Sequence, residues 1–117
     1  MKIKIKRVYE SPERDDGCRI LVDRLWPRGV KKESAVIDIW LKEIAPSTSL
    51  RREFGHDPAR WNGFKEKYIR ELHGNNEPVS ILKEKMKRGP VTLLYAAKDE
   101  KHNQAQVLLQ YVTHRQK

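Results

Sequence analysis

Residues 19–29 read Arg-Ile-Leu-Val-Asp-Arg-Leu-Trp-Pro-Arg-Gly, and this stretch decides the fold. Ile20, Leu21 and Val22 form a near-continuous apolar run, the pattern of an inner strand buried on both faces. Pro27 and Gly29 end it. Toward the N-terminus, Ile3, Ile5 and Val8 alternate with lysine and arginine, which predicts a strand with one buried face. Lys2, Lys4 and Lys6 would share the opposite face, expected to lie away from the core. Glu10 to Gly17, with its Ser, Pro and Asp-Asp, reads as a loop. On the other side, Val36 to Leu41 fits either a short strand or a helical turn.

From Pro46 onward helical signals take over. Ser47 is a fitting N-cap for a short helix that ends at Gly55. Asp57 followed by Pro58 opens a second helix, in which Trp61, Phe64, Tyr68 and Leu72 recur every three or four residues as one apolar stripe. That helix stops near Gly74-Asn75-Asn76. A third turns Val79, Leu82 and Met86 inward and ends at Arg88-Gly89-Pro90. Val91 to Tyr95 then form another apolar strand, and a last helix carries Ala105, Leu108, Leu109 and Val112 on one side. Strands separated by helices need crossover connections. The expected fold is a single small α/β domain over residues 1–117, with a mixed, mostly parallel sheet flanked by helices in two or three layers.

The 117 residues suit one compact domain. No apolar run approaches the roughly 20 residues that span a bilayer, and the N-terminus lacks the apolar core of a secretory signal. A cytoplasmic protein without membrane association is expected. Cys18, the single cysteine, excludes an internal disulfide framework and a paired-cysteine metal site. Cys18 itself reads as a buried thiol at a strand start, although the neighbouring Arg19 would lower its pKa. The histidines His56, His73, His102 and His114 stand at unrelated spacings, so no metal site is expected. Lys and Arg number 25 against 16 Asp and Glu, a formal net charge of +9 that favours anionic partners, from a small phosphate or nucleotide to nucleic acid. The group Lys83, Lys85, Lys87 and Arg88 has a plainer account, since it complements the dipole at a helix end.

Two segments carry candidate chemistry, and each follows an apolar strand, where ligands bind in open α/β sheets. In the first, Arg24 and Arg28 would neutralise an anion, Trp26 would stack on a ring, and Gly29 would allow close backbone approach. The plainer account is that Asp23 pairs with an arginine and Trp26 covers the core. The second runs from Tyr95 through Lys98, Asp99, His102, Asn103 and Gln104 into the last helix. Tyr95, Lys98, Asn103 and Gln104 are candidate ligand-binding residues there. His102 is the candidate catalytic acid or base, because histidine titrates near ~6.5; Asp99 is equally explained as a helix cap. His56, beside the cap at Asp57, is a third candidate. The chain has neither a glycine-rich phosphate loop nor a GxSxG elbow, so a P-loop or dinucleotide fold and a Ser-His-Asp triad have no motif to support them, and no cofactor is expected.

At VDRLWPRG (residues 22–29), APSTSLRREFGHDPARW (45–61) and GPVTLLYAAKDEKHNQA (89–105), the chain resembles the YeaO-like branch of the domain-of-unknown-function 488 family. The resemblance covers nearly all of the chain. It implies a small cytoplasmic α/β domain and brings no reaction with it. The wider family carries an arginine, an aromatic, a proline and a basic residue after its early strand, and Arg24, Trp26, Pro27 and Arg28 match. Many members also have a cysteine at the end of the last strand and Cys-His-Arg at the following helix. Here those places hold Tyr95 and Asn103-Gln104-Ala105, so the resemblance carries no thiol chemistry onto this chain.

Two functions remain in play. One is a domain, with or without catalysis, that holds an anionic or nucleotide-like ligand between the two loops. The other is a non-catalytic nucleic-acid-binding module using the net charge with Trp26, Trp40 and Trp61 as stacking platforms. A protein-interaction domain would require an exposed aromatic patch.

Overall fold

The computed structural model describes residues 2–114. Strands β1 (Ile3–Arg7), β2 (Cys18–Leu21), β3 (Ile39–Trp40) and β4 (Val91–Tyr95) form one sheet in the order β1-β4-β2-β3. Every pairing is parallel, so the sheet is purely parallel rather than mixed. β4 and β2, the two apolar runs, take the inner places, and all five residues of β4 are buried. The ambiguous segment Val36 to Leu41 holds the short edge strand β3, and a single helical turn, α1 (Lys32–Ala35), precedes it.

Alternation along the inner strands sends side chains to two different cores. Ile20, Val22, Val91, Leu93 and Tyr95 face the larger one, covered by α2 (Thr48–Phe54), α3 (Trp61–His73), α4 (Asn76–Arg88) and α5 (Gln104–Thr113). Phe64, Tyr68 and Leu72 from the α3 stripe, Leu82 and Met86 from α4, and Ala105, Val107 and Leu108 from α5 fill it. Val107 takes the buried place in α5 expected for Leu109, which is only half-buried. Leu21 and Leu94 face a smaller second core with Val8, Ala35 and Ile37, closed by Trp26 and Val30 of the loop after β2. No helix among the described residues is long and apolar enough to cross a membrane.

The lysine face of β1 differs from expectation. Lys4, Thr92 and Arg19 lie in one row across the sheet, with Lys6 in the next row. A turn of 3-10 helix at Arg14–Asp16 folds over them and buries Asp16. Lys6 reaches Asp16 at 3.1 Å, Glu13 at 3.0 Å and the Ser11 carbonyl at 2.9 Å, and is 8% exposed. Lys4 reaches Asp16 at 3.1 Å, Arg19 forms a further ion pair with it, and the Thr92 hydroxyl donates to its carbonyl. Burial alone would raise the Asp16 pKa; the Glu13 amide and the three cations outweigh it and hold the carboxyl well below its usual range. The alternating lysines are thus partly interior, because an aspartate arrives with them.

The rest of Arg19 is used locally. Its guanidinium donates to the Ala35 carbonyl at 2.8 Å and to that of Val36, a residue in the left-handed region with φ 51°. The pKa of the half-buried Cys18 thiol beside it is pushed up by burial, with Asp38 near it, rather than lowered by Arg19.

Candidate functional site

β2 and β4 end side by side, Leu21 opposite Leu94, so the segments that follow them emerge together. Between them opens a cleft of about 700 Å³, within the range of small-molecule sites. Of the eight residues expected at the site, Arg24, Trp26, Arg28, Lys98, His102, Asn103 and Gln104 line it. Tyr95 does not: it is 3% exposed in the larger core, under the cleft. As the last residue of β4 it points to the helix-covered face, set by the alternation of the strand.

The lining residues divide by what already occupies them. Arg24 donates from Nε to the Pro46 carbonyl at 3.1 Å and from Nη2 to that of Ala45 at 3.0 Å. It ties the loop after β2 to the segment before α2. Trp26 donates its indole N–H to the Val30 carbonyl at 2.8 Å and meets Trp40 edge-on at 5.3 Å. Its ring is a wall between cleft and second core, in line with the plainer account. Asn103, 2% exposed, is the N-cap of α5, accepting from the Gln106 amide at 3.1 Å. Arg28 and Lys98 are exposed, and neither side chain bonds to another group among the described residues.

Since Asn103 caps α5, Asp99 has a different task. One carboxylate oxygen accepts from the Lys101 and His102 amides, and the other lies 2.9 Å from His102 Nδ1. Bonding to His102, then to these amides, holds the Asp99 carboxyl below its ordinary range. With Nδ1 donating to Asp99, His102 is fixed in one tautomer, and Trp61 packs edge-on against its ring at 5.3 Å.

Two further groups were not assigned to the site from the sequence. Among the described residues, Asp23 forms no ion pair with an arginine. It accepts from the Ala96 amide at 3.1 Å and from the Gln104 side-chain amide, joining the two strand ends. Burial, set against these hydrogen bonds and the more distant Arg51 and His56, pushes its carboxyl up to about 6. Arg51 of α2 also lines the cleft, with the rings of Phe54 and Phe64. Nothing in the spacing of Arg51 marks it; it is an exposed residue of a seven-residue helix whose packing brings it to the cleft. The third candidate, His56, joins the same cleft because Gly55 (φ 56°) and His56 (φ 57°) both turn through the left-handed region after α2.

Other candidates lie elsewhere. Cys18 starts β2, at the opposite end of the strand from the cleft. His73 packs on Tyr111 at 5.3 Å. Glu13, Asp15 and Asp16 are close enough to share a cation, but Lys4, Lys6 and Arg19 already bond to this group.

Residues 2–117 match the family described as the inactive DUF488-N3 subclade. The chain belongs to the DUF488-N3i family. Among the relatives of this DUF488-N3i chain are uncharacterized protein YeaO of Escherichia coli (strain K12), 46% identical over 112 residues, covering 96% of this chain and 97% of that protein. Uncharacterized protein Rv3073c of Mycobacterium tuberculosis (strain ATCC 25618 / H37Rv) is 37% identical over 114 residues, covering 97% and 96%. No solved structure gives a significant match.

Proposed function

We propose that the chain is a binding domain for a small anionic, nucleotide-like ligand held in this cleft. The observation that carries the reading is the cleft's charge: Arg24, Arg28, Arg51 and Lys98 line it, with His56 and His102, against Asp23 and Asp99 alone. Among the described residues, the side chains of Arg28, Arg51 and Lys98 make no hydrogen bond or ion pair and are the cleft cations open to an anion, and arginine grips phosphate or carboxylate bidentately. His102, oriented by Asp99 through Nδ1, keeps Nε2 as an acceptor for a ligand O–H or N–H and is the cleft's candidate for proton transfer. Binding without thiol chemistry agrees with the subclade's description as inactive and with Tyr95, not cysteine, at the end of β4.

The test is calorimetric titration with phosphate and nucleotides, at low and moderate salt. A saturable, single-site isotherm with a modest salt dependence is expected, and Arg28→Ala combined with Lys98→Ala should weaken it at least about tenfold, the loss of two charge-assisted bonds. Unchanged affinity in that double variant would remove the reading.

The net charge of +9 favours a second reading, a nucleic-acid-binding module. The tryptophans support it less, because each ring is engaged: Trp26 and Trp40 with one another, Lys42 over Trp40 at 5.2 Å, and Trp61 against Phe54, Phe64 and His102. Binding of oligonucleotides alone, lost steeply as salt rises, would favour this second reading.

A further inference from the structure

The carboxyl of Asp23 is the one feature of the cleft that anion binding does not explain. It lines the cleft among arginines, yet no cation lies within ion-pair distance among the described residues. Its structural duties are to accept from the Ala96 amide and from Gln104. An asparagine would serve both, accepting from the Ala96 amide and donating to a Gln104 amide turned about. A carboxylate in that place sets a negative charge beneath the expected anion and costs desolvation. A local choice made against stability is expected where a site has a ligand to read.

Each carboxylate oxygen of Asp23 accepts one protein donor and keeps a lone pair. Two donors on adjacent ligand atoms would satisfy that remaining capacity. A cationic donor is disfavoured, because Arg51 and His56 face the same carboxyl. Neutral hydroxyls remain, and vicinal hydroxyls offer two O–H groups at the spacing of a carboxylate's oxygens. The same division of labour, phosphate on cationic or amide donors and sugar hydroxyl on an acidic residue near a strand end, is how α/β sheets read ribose.

Resting on the anion-binding reading above, we infer that the ligand is a phosphate ester of a vicinal-diol sugar, its hydroxyls donating to Asp23 and its phosphate meeting Arg28 and Lys98. A free sugar phosphate and a nucleotide share this chemistry. The volume of about 700 Å³, with Phe54 and Phe64 in the lining, admits either.

The experiment is a calorimetric series on the intact chain with inorganic phosphate, ribose phosphate, adenosine monophosphate and its dideoxy analogue. Adenosine monophosphate should bind about tenfold tighter than the dideoxy analogue, because Asp23 keeps its protein donors when the diol is absent. Ribose phosphate should exceed inorganic phosphate similarly, and Asp23→Asn should erase both preferences. If phosphate, nucleotide and dideoxy nucleotide bind equally well, the diol inference falls while the anion site stands. If none binds, both fall. A gain on adding the base, with no loss on removing the hydroxyls, would also overturn the inference and assign recognition to the aromatic wall. The unmodified chain carries these comparisons, so the result does not depend on the folding of the variant.

Discussion

Asp16 and Asp23 stand at opposite ends of β2, and the same side-chain type is driven in opposite directions. Asp16 is surrounded by Lys4, Lys6 and Arg19, so its charge stabilises the fold. Its folded pKa lies below the unfolded value, so the stabilisation is present above about pH 4 and is lost as pH falls below that. Asp16→Asn takes from buried Arg19 its carboxylate partner and leaves buried Lys6 only Glu13, and should cost about 3 kcal/mol, read as a lowered urea midpoint at pH 7. Asp23 works the other way. Its folded pKa of about 6 lies above the unfolded value, so its ionisation lowers stability progressively as pH rises from about 4 to about 6, by roughly 2 kcal/mol. The Ala96 amide, Gln104, Arg51 and His56 face it and moderate that cost, and Tyr68 lies behind it. Asp23→Asn should therefore be no less stable than the unmodified chain at pH 7, and the decline between pH 4 and 6 should vanish from its denaturation midpoints. An Asp23→Asn chain that is markedly less stable at pH 7 would mean that the carboxylate is structural.

At the scale of elements, β2 depends on how it starts. Gly17 holds φ 66°, and a Cβ there would come within 2.2 Å of the Pro90 carbonyl oxygen, which accepts the Cys18 amide at 2.9 Å. β2 enters beside β4 only because that side chain is missing. Gly17→Ala should destabilise by more than about 2 kcal/mol, through both the strained φ and the clash, as thermal unfolding would show. The elements also separate what the sequence makes legible from what it does not. Ile20 to Val22 and Val91 to Tyr95 carried their own evidence, because an unbroken apolar run leaves an inner strand few alternatives. The stripe Trp61, Phe64, Tyr68 and Leu72 set the orientation of α3 in the same way. The lysines of β1 misled because alternation tells faces apart without telling which polar face will be covered; Asp16 covers this one from ten residues away. Asn103 rather than Asp99 caps α5, a choice between two good caps that depends on where the chain turns.

In the whole molecule, the parallel sheet makes the site. Because β2 and β4 run the same way and end together, residues 23–28 and 96–104 meet at one end of the sheet although some 70 residues of sequence lie between them. That each loop follows an apolar strand was legible; that the two meet follows only from β2 and β4 being neighbours in the sheet. The contributions of Arg51, His56 and Phe54 were not legible, because they depend on how α2 packs over the strand ends. The net charge is a property of the whole surface, but the proposed binding is confined to one end of it. An NMR titration of amide resonances with adenosine monophosphate tests that most directly. The changes should concentrate on residues 23–28, 51–56 and 96–104, and saturate together. Changes centred on Lys83, Lys85, Lys87 and Arg88 of α4, or spread evenly over the basic surface, would contradict it.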